Sequence, residues 1–195
     1  MTCLLTFNSQ LTTDSTLYTL HSQLTTDSTL STLNSQLKMN YFTISELLRS
    51  PIAIDLRLWN GANLEQERNL MALVDQVLDP ARERYGHRIL VSSGFRCHEL
   101  NRLVGGTPHS QHLKGEAADI YTDAGRDGNL ELGRIIVSLG HFDQLIFEHV
   151  GANDLRPLWL HVSWRRNGDN RQEVRKLVAG TNTYPIVSRK EVLGL

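Results

Sequence analysis

Two histidines and an aspartate in this chain have the residue types and spacing of a metal site. His112 and Asp119 lie seven positions apart within SQHLKGEAAD, and His161 follows in the separate run WLHVSW. Zinc binds imidazole nitrogen and carboxylate oxygen in a tetrahedron, and catalytic zinc sites use three protein ligands so that the fourth position can hold water. Such a set suits zinc better than magnesium. The pattern therefore predicts a Zn²⁺ site formed by His112, Asp119 and His161.

Two predicted strands and one turn must bring these side chains together. His112 precedes a turn at Gly115, where glycine gives the chain room to reverse. Asp119 lies in AADIY and His161 in LWLHVSW, both rich in residues that favour strands. Neighbouring strands would place the donors side by side. The spacing alone is a weak signal, because any loop histidine followed by a strand aspartate matches it.

The rest of the chain has helical patterns first and strand patterns later. Strands are predicted at HRILVSS, AADIY, FDQLIFEHV and LWLHVSW. Helices are predicted after the Thr43 capping box, over 63–78 before Pro80, in CHELNRLVGG, around 130–139, and over 170–179. This order indicates an α+β fold with a mainly antiparallel sheet and helices packed on it.

The N-terminal segment differs from the rest of the chain. SQLTTDSTL occurs at 9–17 and again at 22–30, a repeat with a period of 13 residues. Its composition, rich in Ser, Thr and Leu and poor in charge, favours disorder. Because Met39 follows the repeat directly, we interpret residues 1–38 as a tract upstream of the natural start. The predicted organisation is this tract, a globular domain over 39–180 and an irregular tail over 181–195.

Composition excludes several classes of protein. Twenty Lys and Arg are balanced by 21 Asp and Glu, which gives a net charge of -1 and no basic field for nucleic acid. The chain has neither a signal-peptide pattern nor an apolar run near the roughly 20 residues of a membrane helix, so no membrane insertion is expected. Cys3 and Cys97 lie in unlike segments and are predicted to be free thiols. A monomer is expected.

Three sequence blocks resemble the zinc D-Ala-D-Ala carboxypeptidase family, which includes vancomycin-resistance dipeptidases and phage endolysins and shares its fold with hedgehog signalling domains. The blocks are SSGFRCHELNRLVGG at 92–106, SQHLKGEAADI at 110–120, and WLHVS at 159–163. The middle block is the specific one, and the resemblance covers about 41–179. It implies the hedgehog-like α+β fold and the same three zinc ligands.

The resemblance also implies a function. The chain would hydrolyse peptide bonds of bacterial peptidoglycan, either as a D-Ala-D-Ala carboxypeptidase or as a stem-peptide endopeptidase. Two alternatives stay open, a non-catalytic zinc-bearing binding module and a phage structural component of the same fold. Without a signal peptide, the protein would be made in the cytoplasm and act on the wall after release or as part of a virion.

Arg96 and Ser110 are the predicted substrate-binding residues. The resemblance implies Arg96 as the cation that receives a substrate carboxylate or carbonyl, and the fork of guanidinium donors suits that task. The alternative for Arg96 is a surface residue over the next helix. Ser110 either donates to substrate or ties its loop to the backbone.

This chain lacks the residues that many relatives use as the general base, so another residue must take that role. Those proteins carry an acid three residues, or a histidine two residues, before the last ligand, where this chain has Leu158 and Trp159. Glu148 at the end of DQLIFE is the predicted base. Strand alternation places His149 on the opposite face. Asp154 is the reserve candidate, and a solvated strand-end carboxylate is the alternative for Glu148.

The remaining aromatic and histidine side chains receive mainly structural assignments. Phe147, Trp159 and Trp164 are predicted to pack in the core rather than stack on sugars. His109 could contact substrate. Surface or turn positions are predicted for His21, His87, His98 and His141.

Overall fold

A computed structural model describes residues 39–195 of the chain. The predictions made for the N-terminal repeat, Cys3 and His21 lie outside the described residues. The described unit has a five-stranded sheet with helices packed against it, which confirms the α+β class. No helix within residues 39–195 is long and apolar enough to cross a bilayer. Cys97 is a free thiol, as predicted.

The secondary structure follows the predicted order over most of the chain. The helices are α1 Ile44–Leu48, α2 Pro51–Asp55, α3 Leu64–Leu73, a π-helical segment Val74–Leu78, α4 Asp79–Tyr85, α5 His98–Leu103, a 3₁₀ turn Gln111–Lys114, α6 Gly125–Leu139 and α7 Arg189–Leu193. The strands are β1 Ile89–Ser93, β2 Ala117–Thr122, β3 Gln144–Val150, β4 Trp159–Ser163 and β5 Glu173–Val178.

The predicted helix before Pro80 begins where expected but runs further. Asn63 caps α3 by accepting from the backbone N–H of Gln66 at 3.0 Å. The helix then passes through the π-helical segment into α4 and ends at Gly86, whose φ of 75° is left-handed. Pro80 is tolerated because it lies in the first turn of α4, next to the wider π turn, where its missing N–H costs little.

The sheet order is β1-β2-β4-β3-β5, with every pair antiparallel except β3 and β5. The predicted helix over 170–179 is wrong, because β5 occupies that segment. Asn170, read as a helix cap, instead accepts from the backbone N–H of Arg165 at 2.8 Å and shapes a loop. Parallel pairing with β3 overrides the weak local signal for a helix.

One face of the sheet carries the core. Ala118, Ile120, Leu160 and Val162 are fully buried on this face, which packs against the helices. Close contact with α6 depends on Gly133, because a Cβ there would meet the ring of Phe147. Since strand side chains alternate, the residues between these core positions turn to the opposite face.

The segment 181–195, predicted to be irregular, contains structure at its end. Arg175 and Ile186 form an isolated antiparallel bridge, and α7 follows. Val187 and Val192 are buried in the core. This segment is therefore packed against β5 and α6.

Candidate metal centre and active-site cleft

Strand register places two of the predicted ligands side by side. Asp119 of β2 is paired with His161 of β4, and both lie on the face opposite the core. His112 comes from the 3₁₀ turn, which ends at Gly115 with a left-handed φ of 71°. A Cβ at Gly115 would collide with the carbonyl of Gln66 on α3, so this turn fits tightly against the helix. The local sequence thus fixes where His112 enters the site.

The three predicted ligands present their donor atoms in a nearly equilateral triangle. His112 Nε2 lies 3.1 Å from His161 Nδ1 and 3.2 Å from Asp119 Oδ1. The third edge, from His161 Nδ1 to Asp119 Oδ1, is 3.0 Å. Tetrahedral zinc with bonds of about 2.0–2.1 Å would separate its ligand atoms by about 3.3 Å. The triangle therefore has the dimensions of a site for one zinc ion.

The protonation of His112 supports the same conclusion. Its Nδ1 lies 2.6 Å from the backbone carbonyl of Gly94, which can only accept, so Nδ1 carries the hydrogen. This contact leaves the Nε2 lone pair directed at Asp119 and His161. Burial lowers the pKa of His112, and the charge of Asp119 opposes this effect in part. A lone pair facing a carboxylate calls for a cation between them, and the donor set fits zinc.

Asp119 is ionised, and both of its carboxylate oxygens have partners. Burial by itself would raise the pKa of Asp119, but the adjacent His112 and His161 outweigh it and hold that pKa well below its usual range. The other carboxylate oxygen, Oδ2, accepts from Arg96 Nη2. Arg96 in turn donates from Nε to the Ser93 hydroxyl at 2.8 Å. The predicted substrate cation thus also orients a ligand carboxylate.

Glu148 lies in the same cleft with the properties of a proton acceptor. It is 8% exposed and is paired across the sheet with Trp159 of β4. Burial raises the pKa of Glu148 to about 7, and His161 and Arg96 oppose this effect in part. Within residues 39–195 no hydrogen bond or ion pair holds its carboxylate. The group is therefore free to exchange a proton with a molecule in the cleft.

The three predicted ligands and Glu148 line one cleft of about 760 Å³, together with Arg96, Ser110 and His109. The Ser110 side chain does not cap the 3₁₀ turn, which leaves its hydroxyl available to a ligand. Asp154 is not part of this cleft. Its carboxylate pairs with Arg156 at 2.7 Å and lines a separate cavity. The structure therefore does not support the reserve assignment of Asp154 as base.

Strand alternation fails at His149. Its φ of 54° is left-handed, and the pairing of β3 with β5 shifts register between Phe147 and Val150. His149 consequently lines the cleft together with Glu148, against prediction. The His149 ring lies 4.8 Å from that of Trp159, which is also part of the cleft wall rather than core. Phe147 is buried in the core, as predicted.

Sequence reasoning missed the far wall of the cleft. Arg175 and Leu177 of β5 line it, as does Tyr184 from the following segment. The sequence signal for a helix over 170–179 concealed the strand, and no local motif marks Tyr184. These three residues become visible only through the pairing of β5 with β3.

The raised pKa of Glu148 predicts a stability cost in the metal-free protein. Its pKa rises from 4.5 to about 7 on folding, so between these values the folded state keeps a proton that the unfolded chain has released. Stability therefore falls as pH rises through this window. At about 1.4 kcal/mol per pH unit, Glu148→Gln should stabilise the chelated protein by about 3 kcal/mol at pH 8 and by little at pH 5.

Urea unfolding of both proteins with chelator at the two pH values checks this expectation. The gain at pH 8 should come from removing a buried charge, since glutamine has nearly the same shape. Equal stability of the variant and the wild type at pH 8 would show that the Glu148 carboxylate is not desolvated as described.

Comparison with known proteins adds an independent finding. The family model for Peptidase M15 matches residues 40–151, more than half of the chain. The matched region contains His112, Asp119 and Glu148 but ends before His161, whose place in the site rests on the register of β2 with β4. No curated protein matches the chain. The matched region and the donor geometry together lead to one conclusion: the chain belongs to the Peptidase M15 family of zinc-dependent metallopeptidases.

Proposed function

We propose that this protein hydrolyses peptide bonds of bacterial peptidoglycan, with His112, Asp119 and His161 as zinc ligands. The observation that carries the proposal is the donor triangle, with edges of 3.0–3.2 Å, in one cleft with the buried carboxylate of Glu148. A binding module would need the triangle but not the base. The presence of both favours catalysis.

Glu148 is the proposed general base. Zinc held by the triangle supplies Lewis-acid chemistry, activating water and polarising the scissile carbonyl. Glu148 takes a proton from the attacking water and later gives it to the leaving amine. Both transfers use a carboxylate that is buried beside the proposed ligands and makes no hydrogen bond within residues 39–195. Such proton transfer contributes roughly 10²–10⁴-fold to the rate.

Arg96 and Ser110 are the proposed substrate-binding residues. Arg96 lines the cleft and uses Nε and Nη2 to hold Ser93 and Asp119, while its remaining nitrogen, Nη1, makes no hydrogen bond within residues 39–195. That nitrogen is placed to donate to a substrate carbonyl or carboxylate. Ser110 offers a hydroxyl from the start of the ligand turn. Together these groups orient the peptide beside Glu148.

Mass spectrometry of muropeptides tests the function and the bond that is cut. Purified sacculi are digested with zinc-loaded protein, with chelated protein, and with chelated protein to which zinc is returned. We expect new products only where zinc is present. Loss of the terminal residue from stem peptides identifies a carboxypeptidase, whereas conversion of cross-linked dimers to monomers identifies an endopeptidase. An unchanged muropeptide profile with the zinc-loaded protein would contradict the proposal.

A further inference from the structure

The segment after β5 adds an extended edge to the sheet and brings Tyr184 to the cleft. The backbone N–H of Lys176 donates to the carbonyl of Pro185 at 3.1 Å, and that of Val187 donates to Val174 at 2.9 Å. Val187 is buried in the core and anchors the segment. Tyr184 is therefore carried by a fixed backbone and not by a free end.

Strand pairing places Tyr184 across from the proposed base. Glu148 lies on β3, β5 is the next strand, and the segment containing Tyr184 pairs on the far side of β5. Leu177 of β5 and Tyr184 both line the cleft. Neighbouring strands are about 4.8 Å apart, so two spacings separate the backbones of Glu148 and Tyr184 by about 10 Å. Leu177 of β5 lies in the sheet between them, so Glu148 and Tyr184 flank one stretch of the cleft floor.

One contact and one local restriction hold the Tyr184 backbone in place. The Arg175 guanidinium donates to the Tyr184 carbonyl at 2.7 Å. Pro185 follows directly, and a residue before proline is restricted to extended conformations. The backbone of Tyr184 is consequently fixed at the edge of the cleft that the residue lines.

The Tyr184 hydroxyl has the character of a permanent donor. Burial, and then the negative charges of Glu148 and Asp119, raise the pKa of the Tyr184 phenol. The O–H therefore keeps its proton throughout the working pH range. The side chain is still 40% exposed, and within residues 39–195 its hydroxyl makes no hydrogen bond. It is open to a ligand.

We propose that Tyr184 is a substrate-contacting residue whose hydroxyl donates a hydrogen bond to the peptide oxygen that gains negative charge during hydrolysis, opposite Glu148. This proposal rests on the proposed peptidase function. A preorganised neutral donor aimed at developing negative charge stabilises the transition state without adding charge to the free site. The residue lies beyond the region that matches the family model.

The test compares Tyr184→Phe with Tyr41→Phe in the zinc-loaded protein. Tyr41 is an exposed tyrosine beside Arg82, outside the cleft, and its variant is the matched control. Calorimetry measures binding of a phosphinate dipeptide, an anionic tetrahedral mimic that is not turned over. We expect Tyr184→Phe to bind it roughly 10- to 100-fold more weakly, the usual loss for a hydrogen bond to a charged group. Zinc content and the control should be unchanged.

Turnover of a wall peptide gives the second readout. Tyr184→Phe should lower kcat by a similar factor with little change in KM, because the contact strengthens as charge develops. Phosphinate binding within twofold of wild type would overturn the role of Tyr184. Weakened phosphinate binding by Tyr184→Phe, with a wild-type protein that cleaves no wall peptide, would support Tyr184 and refute the proposed function. Zinc-loaded wild-type protein that does not bind the phosphinate would overturn both.

Discussion

Replacement of His161 by alanine is expected to abolish zinc binding and peptidase activity together. Its Nδ1 lies 3.1 Å from His112 Nε2 and 3.0 Å from Asp119 Oδ1, so it forms one corner of the donor triangle. Two remaining ligands do not hold catalytic zinc, which uses three protein ligands. Elemental analysis after dialysis should find about one zinc per chain in the wild type and almost none in the variant.

The matched control is His141→Ala, which removes an exposed imidazole outside the cleft. This variant should keep its zinc and its activity. Retention of zinc by His161→Ala at wild-type affinity would remove this residue from the ligand set. Activity without bound zinc would show that the reaction does not use the metal.

Replacement of Glu148 by glutamine is expected to separate metal binding from turnover. Glutamine keeps the shape of the side chain but accepts no proton, so the proton transfers assigned to Glu148 are lost. Zinc content should be unchanged, because the carboxylate of Glu148 is not part of the donor triangle. We expect kcat to fall by roughly 10²–10⁴-fold. Steady-state kinetics on a peptide that the wild type cleaves measures this loss.

Glu131→Gln is the control for this change, since Glu131 is an exposed glutamate on α6. Its kinetics should match those of the wild type. A Glu148→Gln variant with near-wild-type kcat would assign the base to another group. Loss of zinc in that variant would instead place Glu148 among the ligands.

The metal donors could be predicted from sequence because their positions depend on local rules. Asp119 and His161 lie in strands whose apolar neighbours alternate with them, so the face that each occupies follows from the pattern. His112 lies before a glycine that takes a left-handed conformation, and such turns leave a sequence signal. These local signals alone are weak, and the resemblance carried by the SQHLKGEAADI block made the prediction of a shared site specific. The distances between the three side chains could not be predicted, because they depend on the register of the sheet.

The far wall of the cleft could not be predicted because it depends on non-local pairing. The 170–179 segment has a capping pattern that is typical of a helix, yet parallel pairing with β3 makes it a strand. Tyr184 reaches the cleft only because the next segment pairs with that strand. His149 lines the cleft because a register shift in β3 breaks the alternation on which its prediction relied. No short window of sequence contains these relations.

The contact of Arg96 with Asp119 also depends on non-local strand pairing. The sequence indicates a cation near the ligand loop but not which carboxylate it meets. Ser93 at the end of β1 is paired with Asp119 of β2, so the turn that carries Arg96 starts beside this predicted ligand. Arg96 is therefore positioned to orient Asp119, and its contact with substrate is our proposal.

A crystal structure of the zinc-loaded protein, with anomalous diffraction recorded at the zinc edge, tests the central claim most directly. We predict one strong anomalous peak about 2.0–2.2 Å from His112 Nε2, Asp119 Oδ1 and His161 Nδ1. A peak elsewhere in the chain, or one that lacks any of these three contacts, would contradict it.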